Sequence, residues 1–168
     1  MGKVKDIHRQ EAMKKIKELA DDADICLFVT NLTQIPLSAR PMSRQRIDDD
    51  GTLWFFSERD SQKNTDIEQD NRVQLFFSNR NSSEYLSIYG TAEILVDKEK
   101  AEELWTPIVK TWFNGGPEDP TLTIIKVTPE DGYYWDTKDG KLITLLKIAA
   151  GAIAGREFDG SLEAKLKP

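Results

Sequence analysis

The chain has 168 residues, 39% of them apolar, with a net charge of −6 and a pI near 4.9. It is long enough for one domain with its own core, and too acidic for a general binder of nucleic acid or of an acidic membrane, because those partners are held by basic surface. A single cysteine, Cys26, excludes an internal disulfide framework and, between Ile25 and Leu27, reads as a buried thiol in a strand. The opening MGKVKDIHRQEAMKK is charged throughout, unlike a secretory signal. The longest apolar region, 142–154, is interrupted by Lys147 and is shorter than the roughly 20 residues of a membrane span. A soluble, cytoplasmic protein of one domain, 1–168, is expected.

In chain order, Ala12, Ile16, Leu19 and Ala20 share one side at helical spacing, which predicts an amphipathic N-terminal helix (within 1–20) covering an open end or seam of a barrel. Residues 25–30 form a short β-branched and aromatic run of strand length. Residues 33–36 read as a turn. Residues 40–47 alternate as a second strand, in which Pro41 demands an edge or a bulge because it lacks a ladder donor. After a third strand, 52–57, and a short helix, 62–69, residues 72–78 give a nearly continuous apolar strand of central type. Residues 84–96 alternate strictly through Leu86, Ile88, Gly90, Ala92, Ile94 and Val96, with Gly90 marking a bend. Asp97 caps a helix that Pro107 kinks or splits. Two last strands, 122–127 and 132–135, are joined through Thr128, Pro129, Glu130 and Asp131. From Lys141 onward, Leu142, Leu145, Leu146, Ala149 and Ile153 suggest one more helix and then a tail, 141–168. About six strands with two or three helices make a mainly β barrel over 25–136, not an alternating βαβ sheet.

The informative stretch is RPMSRQRIDDDGTLWFFSERDSQK, residues 40–63. Gly51 after three aspartates supplies the positive φ of a tight hairpin, so the strands around it pair antiparallel and bring Arg40 to the same end of the sheet as Phe56 and Ser57. Ser61 then caps a short helix, and its exposed amides, with Lys63 in the first turn, make a small anion site. A guanidinium, a hydroxyl, a helix start and an ammonium suit a phosphate monoester. On these residues alone a pair of surface cations explains Arg40 and Lys63 about as well.

Arg40-Pro41-Met42, an apolar strand ending Phe56-Ser57, Ser61-x-Lys63, Ile67 and Arg72-Val73-x-Leu75-Phe76-Phe77 together resemble the FMN-binding split barrel of pyridoxamine 5′-phosphate oxidase-like proteins. Trp105-x-Pro107, Trp112-Phe113 and Asp119-Pro120 bring the likeness nearer to the general stress protein 26 group, over roughly residues 6–135. The resemblance implies a six-stranded antiparallel, Greek-key-type barrel that forms a homodimer with FMN at the subunit interface. Arg40, Ser61 and Lys63 would hold the phosphate, and Phe56-Ser57 would contact the flavin through backbone and hydroxyl. Pro41-Met42 would run under the isoalloxazine. Trp135 would reach the flavin of the partner subunit, and Trp112 would wall the same cleft. Pro41 and Met42 are more often core or edge residues than cofactor contacts, and core or interface packing accounts equally well for Trp112 and Trp135.

Two departures from the family pattern carry information. Gln62 stands where many oxidases carry a second basic residue, and Trp135 is followed by Asp136-Thr137-Lys138-Asp139-Gly140-Lys141, without the Arg-x-His element that grips vitamin B6 substrates. Pyridoxamine-phosphate oxidation is therefore not expected. The resemblance instead implies an FMN-dependent oxidoreductase of unnamed substrate, or a non-catalytic flavin-binding or sensing stress protein. FAD or a deazaflavin in place of FMN is a further reading. The lone His8 supports neither a metal site nor a Ser-His-Asp set, and no GxGxxG or phosphate-loop motif is present.

Overall fold

The computed structural model describes residues 2–136 and 141–145, with side chains over 10–135. Its elements are α1 (Gly2–Asp21), β1 (Ile25–Thr30), β2 (Ser38–Ile47), β3 (Leu53–Glu58), α2 (Gln62–Gln69), β4 (Arg72–Asn79), β5 (Glu84–Leu95), α3 (Lys98–Leu104), β6 (Leu122–Asp136) and β7 (Lys141–Leu145). The strands run in the order β3-β2-β1-β4-β5-β6-β7, and β3 also pairs with β6. Every pairing is antiparallel, so β1 to β6 close a six-stranded barrel with flanking helices, as the strand count predicts.

The β2–β3 hairpin turns where the acidic run predicts. Gly51 has φ of 85°, and its N–H donates to the Asp48 carbonyl at 2.9 Å. A Cβ there would lie 2.3 Å from Met13 Sδ, because α1 packs across this end of the barrel. Ala12, Met13, Ile16, Leu19 and Ala20 enter one continuous core with Phe28, Phe55, Leu75 and Ile88, so the amphipathic face of α1 closes one mouth. The opposite mouth is closed by α2, which buries Asn64, Asp66 and Ile67. A second apolar cluster lies outside the barrel wall, where Trp54 and Phe56 of β3 and Leu122 and Ile124 of β6 are covered by Ala101, Leu104, Val109 and Phe113. This cover explains why β3 is buried on both faces.

As expected, Pro41 sits at an edge: it pairs with Leu27 of β1 in a part of β2 that β3 does not pair with, which spares the ladder a missing donor, and the irregularity of β2 falls further on, between Arg44 and Arg46. Three features differ from the sequence reading. Residues 122–135 form one strand and not two. Thr128 and Pro129 pair with Thr91 and Gly90, and Glu130 is the extra residue of a bulge, so Pro129 bends the strand without ending it. Lys141–Leu145 is a strand paired with Gly132–Asp136 and not the start of a helix, because the free edge of β6 there offers backbone partners that outweigh side-chain periodicity. The rest of the expected C-terminal helix and tail lies outside the described residues. Finally, β4 is central in the sheet yet alternates in burial, with Phe76 45% exposed on the outer face. As expected, Pro107 splits the segment after Asp97: α3 ends at Leu104 and a short 3₁₀ turn occupies Pro107–Thr111.

Candidate functional site

The α2 end of the barrel gathers the polar side chains. Hairpin register carries Arg40 past the end of the β2–β3 pairing, where it faces the same way as its cross-strand partner Phe28, toward the barrel mouth. Its Nη1 donates to Thr30 Oγ1 at 2.7 Å and its Nη2 to Ser38 Oγ at 2.6 Å. Thr30 Oγ1 in turn donates to Asp66 Oδ2 at 2.6 Å, and Gln62 Nε2 donates to Asp66 Oδ1 at 3.0 Å. Arg40 Nη2 and Asp66 Oδ2 lie 3.7 Å apart. Burial works against the Asp66 carboxylate, but the hydrogen bonds from Thr30 and Gln62 and the nearby guanidinium hold its pKa below the ordinary value.

Lys63 stands in the first turn of α2. Burial, and then the neighbouring Arg40 charge, lower its pKa, while Glu58 opposes them. Among the described residues no carboxylate lies within ion-pair distance of its ammonium. Ser61 caps the helix as predicted, its hydroxyl accepting from the Asn64 N–H at 3.4 Å. Beneath it, Ser57 Oγ donates to Asn64 Oδ1 at 2.7 Å and lies 3.2 Å from Ser61 Oγ. The result is a half-buried cation without an ion-pair partner among the described residues, beside a guanidinium fixed by Thr30, Ser38 and Asp66 and a helix start that favours negative charge.

The fold therefore brings Arg40, Ser57, Ser61 and Lys63 together and leaves the other candidates apart. Met42 is buried in the barrel core. Phe56 packs in the outer cluster, its ring centroid 5.9 Å from that of Trp105 and 6.4 Å from that of Phe113. Pro41 is exposed on the outer face of β2, and Trp112 is 61% exposed after the 3₁₀ turn. Trp135 lies across the sheet on β6, 41% exposed, in an open groove with Ile25, Leu27, Phe76, Tyr85 and Tyr133. Sequence reasoning missed Thr30, Asn64 and Asp66, which are joined in part to residues distant along the chain. Cys26 is buried as expected, and burial pushes its thiol up to about 12. No group of three His, Cys, Asp or Glu side chains among the described residues is placed to hold a metal. Nor is any described helix long and apolar enough to cross a membrane.

A closed six-stranded antiparallel barrel, capped by helices at both mouths and gathering Arg40 and Lys63 at one, defines the class: a split-barrel protein. The family model for pyridoxamine 5′-phosphate oxidase like proteins matches residues 11–159, and the chain belongs to that family. Solved structures agree. A Clostridium acetobutylicum protein related to general stress protein 26 of B. subtilis is 27% identical, with a TM-score of 0.70 over 83% of this chain and 96% of that one. General stress protein 26 from Bacillus anthracis is 25% identical, with a TM-score of 0.64 over 82% and 99% of the two chains. The general stress FMN/FAD binding protein of Xanthomonas citri is 25% identical, with a TM-score of 0.63 over 86% and 94%. Protein bli-3 of Neurospora crassa is 28% identical over 112 residues, which is 62% of this chain, and the match spans about half of that protein, 54%.

Proposed function

We propose that this protein is a cytoplasmic FMN-binding protein of the general stress type, working as a homodimer that passes electrons between a reduced donor and a small acceptor. The observation that carries the reading is Lys63: a half-buried ammonium without an ion-pair partner among the described residues, beside Arg40 and the capped start of α2. Lys63 and the first turn of α2 would take the flavin phosphate, and Arg40, held by Thr30 and Ser38, would present its remaining donor capacity to it. Ser61 closes the same pocket. Ser57 is already committed to Asn64, so its part in flavin contact is mainly through its backbone.

Met42 is buried in the core, so position 42 meets a flavin only through backbone, while Pro41 presents its ring on the outer face. The side chain of Phe56 is likewise packed away, leaving its backbone for contact. Trp135 lies on the outer face of the sheet, away from its own chain's Arg40 and Lys63, which suits a role at the partner's flavin; Trp112 is free to wall the cleft. When bound, the flavin supplies the electron chemistry, and these residues fix its phosphate and the exposure of its ring.

Lys63→Ala tests the reading, because Lys63 makes no ion pair among the described residues whose loss would unsettle the fold. FMN affinity, followed by flavin fluorescence, is expected to fall by about 2 kcal/mol, roughly thirtyfold, with riboflavin affinity unchanged. Equal effects on both ligands would overturn the phosphate assignment. Turnover of a reduced nicotinamide above the rate of free FMN separates an oxidoreductase from a protein that only holds flavin.

A further inference from the structure

The pocket that offers cations also contains a buried carboxylate. Asp66 is only 5% exposed, yet it stays charged, and its Oδ2 lies 3.7 Å from Arg40 Nη2. A flavin phosphate reaching Arg40 would share that guanidinium with Asp66, so the two side chains contribute almost no net charge. Lys63 remains, reinforced by the start of α2 and opposed by Glu58. Gln62, on the same turn, spends its amide on Asp66 and brings no charge. The pocket is therefore balanced for about one negative charge. The phosphomonoester of FMN carries nearly two above its second pKa of about 6, whereas a phosphodiester, such as the one that attaches the extra nucleotide of FAD, carries one at each phosphorus.

We propose that Asp66 is a specificity-determining residue that sets the charge of the flavin phosphate, so that a flavin bearing a monoanionic phosphodiester binds about as well as FMN. The proposal rests on the flavin reading above. It accounts for a feature otherwise unhelpful to anion binding: a buried carboxylate, fixed by Thr30 and Gln62, against the arginine of the site.

The test titrates the full chain, freed of flavin, with FMN, the methyl phosphodiester of FMN and riboflavin, following flavin fluorescence. The wild type is expected to hold FMN and the diester within about threefold of each other, and both above riboflavin. Asp66→Asn keeps an oxygen for the Thr30 hydroxyl and removes the charge; it should raise the preference for FMN over the diester about tenfold. Because position 66 is buried, the exposed Gln62→Lys provides an independent change of charge that leaves the core untouched, and it should shift the ratio the same way. A wild type that prefers FMN by tenfold or more, or a ratio that neither variant moves, would overturn the role of Asp66 while leaving the flavin site standing. Absence of binding by every flavin would overturn the flavin reading and this inference together.

Discussion

Asn64 shows how a polar side chain organises the α2 end of the barrel. It is buried in the first turn of α2; its Oδ1 accepts from Ser57 Oγ at 2.7 Å, and its Nδ2 donates to Thr123 Oγ1 at 2.9 Å and the Arg59 carbonyl at 3.3 Å. Thr123 in turn donates to the Ser57 carbonyl at 2.8 Å, so one amide ties β3, α2 and β6 together. Asn64→Ala removes two buried hydrogen bonds, the one from Ser57 Oγ and the one to Thr123 Oγ1, with an expected loss of roughly 2–3 kcal/mol. Urea denaturation should show the midpoint fall with unchanged slope; a loss below about 0.5 kcal/mol would mean that the network does not hold the helix. The Ser61 cap and the arrival of Arg40 at the α2 end of the barrel are legible in the sequence because helix capping and hairpin register are local rules. Asn64 is not legible, because its partners Ser57 and Thr123 lie 7 and 59 positions away and only barrel closure brings the latter close. The same holds for Asp66, whose partner Thr30 is 36 positions away.

At the scale of elements, β5 and β6 are the longest strands, and they meet across an irregularity that neither shows alone. Gly90 is readable as a bend because it interrupts an alternating apolar face. Its necessity comes from β6: a Cβ at Gly90 would stand 2.2 Å from the Thr128 carbonyl oxygen and 3.1 Å from Pro129 Cα, both backbone atoms at the bulge. Thr128 and Pro129 look like a strand break in sequence because proline usually ends a ladder, but the bulge places Pro129 opposite a residue without a side chain. Gly90→Ala is therefore expected to force the two backbones apart and to cost roughly 2–3 kcal/mol, more than the slight gain an alanine usually gives in a strand. Thermal unfolding followed by circular dichroism measures this, and a midpoint equal to the wild type's would show that the strands separate without cost. The strand Lys141–Leu145 is illegible for a related reason: its apolar spacing fits a helix, and only the edge left by Gly132–Asp136 recruits it into the sheet.

For the whole molecule, the decisive feature is the outer face that no described helix covers. Cross-strand register aligns Pro41, Leu27, Phe76, Ser87 and Tyr133 in one row; beside it Ser43 pairs with Ile25, and Ser78, Tyr85 and Trp135 align with one another. Six of these ten positions carry Ile, Leu, Phe, Tyr or Trp left more than one third exposed. Scattered apolar side chains are ordinary on a protein surface, whereas a contiguous row calls for a cover, for which we propose a second copy of this chain; a stable interface takes about 800 Å² from each partner. The patch begins at Pro41, the residue after Arg40, so a second subunit seated on it would reach the edge of the pocket, and Trp135 on the far side would serve the partner's pocket by symmetry. Placing two charges at the centre, Leu27→Glu with Phe76→Glu, leaves the barrel core untouched because both side chains face outward. Analytical ultracentrifugation at micromolar concentration is expected to show the wild type at twice the chain mass of 19.1 kDa and the double variant at that mass, with unchanged circular dichroism. If the cleft between subunits encloses the flavin, the monomer should also lose FMN affinity by at least about tenfold, although Arg40 and Lys63 are intact. A wild type that sediments as a monomer would remove the second subunit from the site, and full FMN affinity in the monomeric variant would place the whole pocket within one chain.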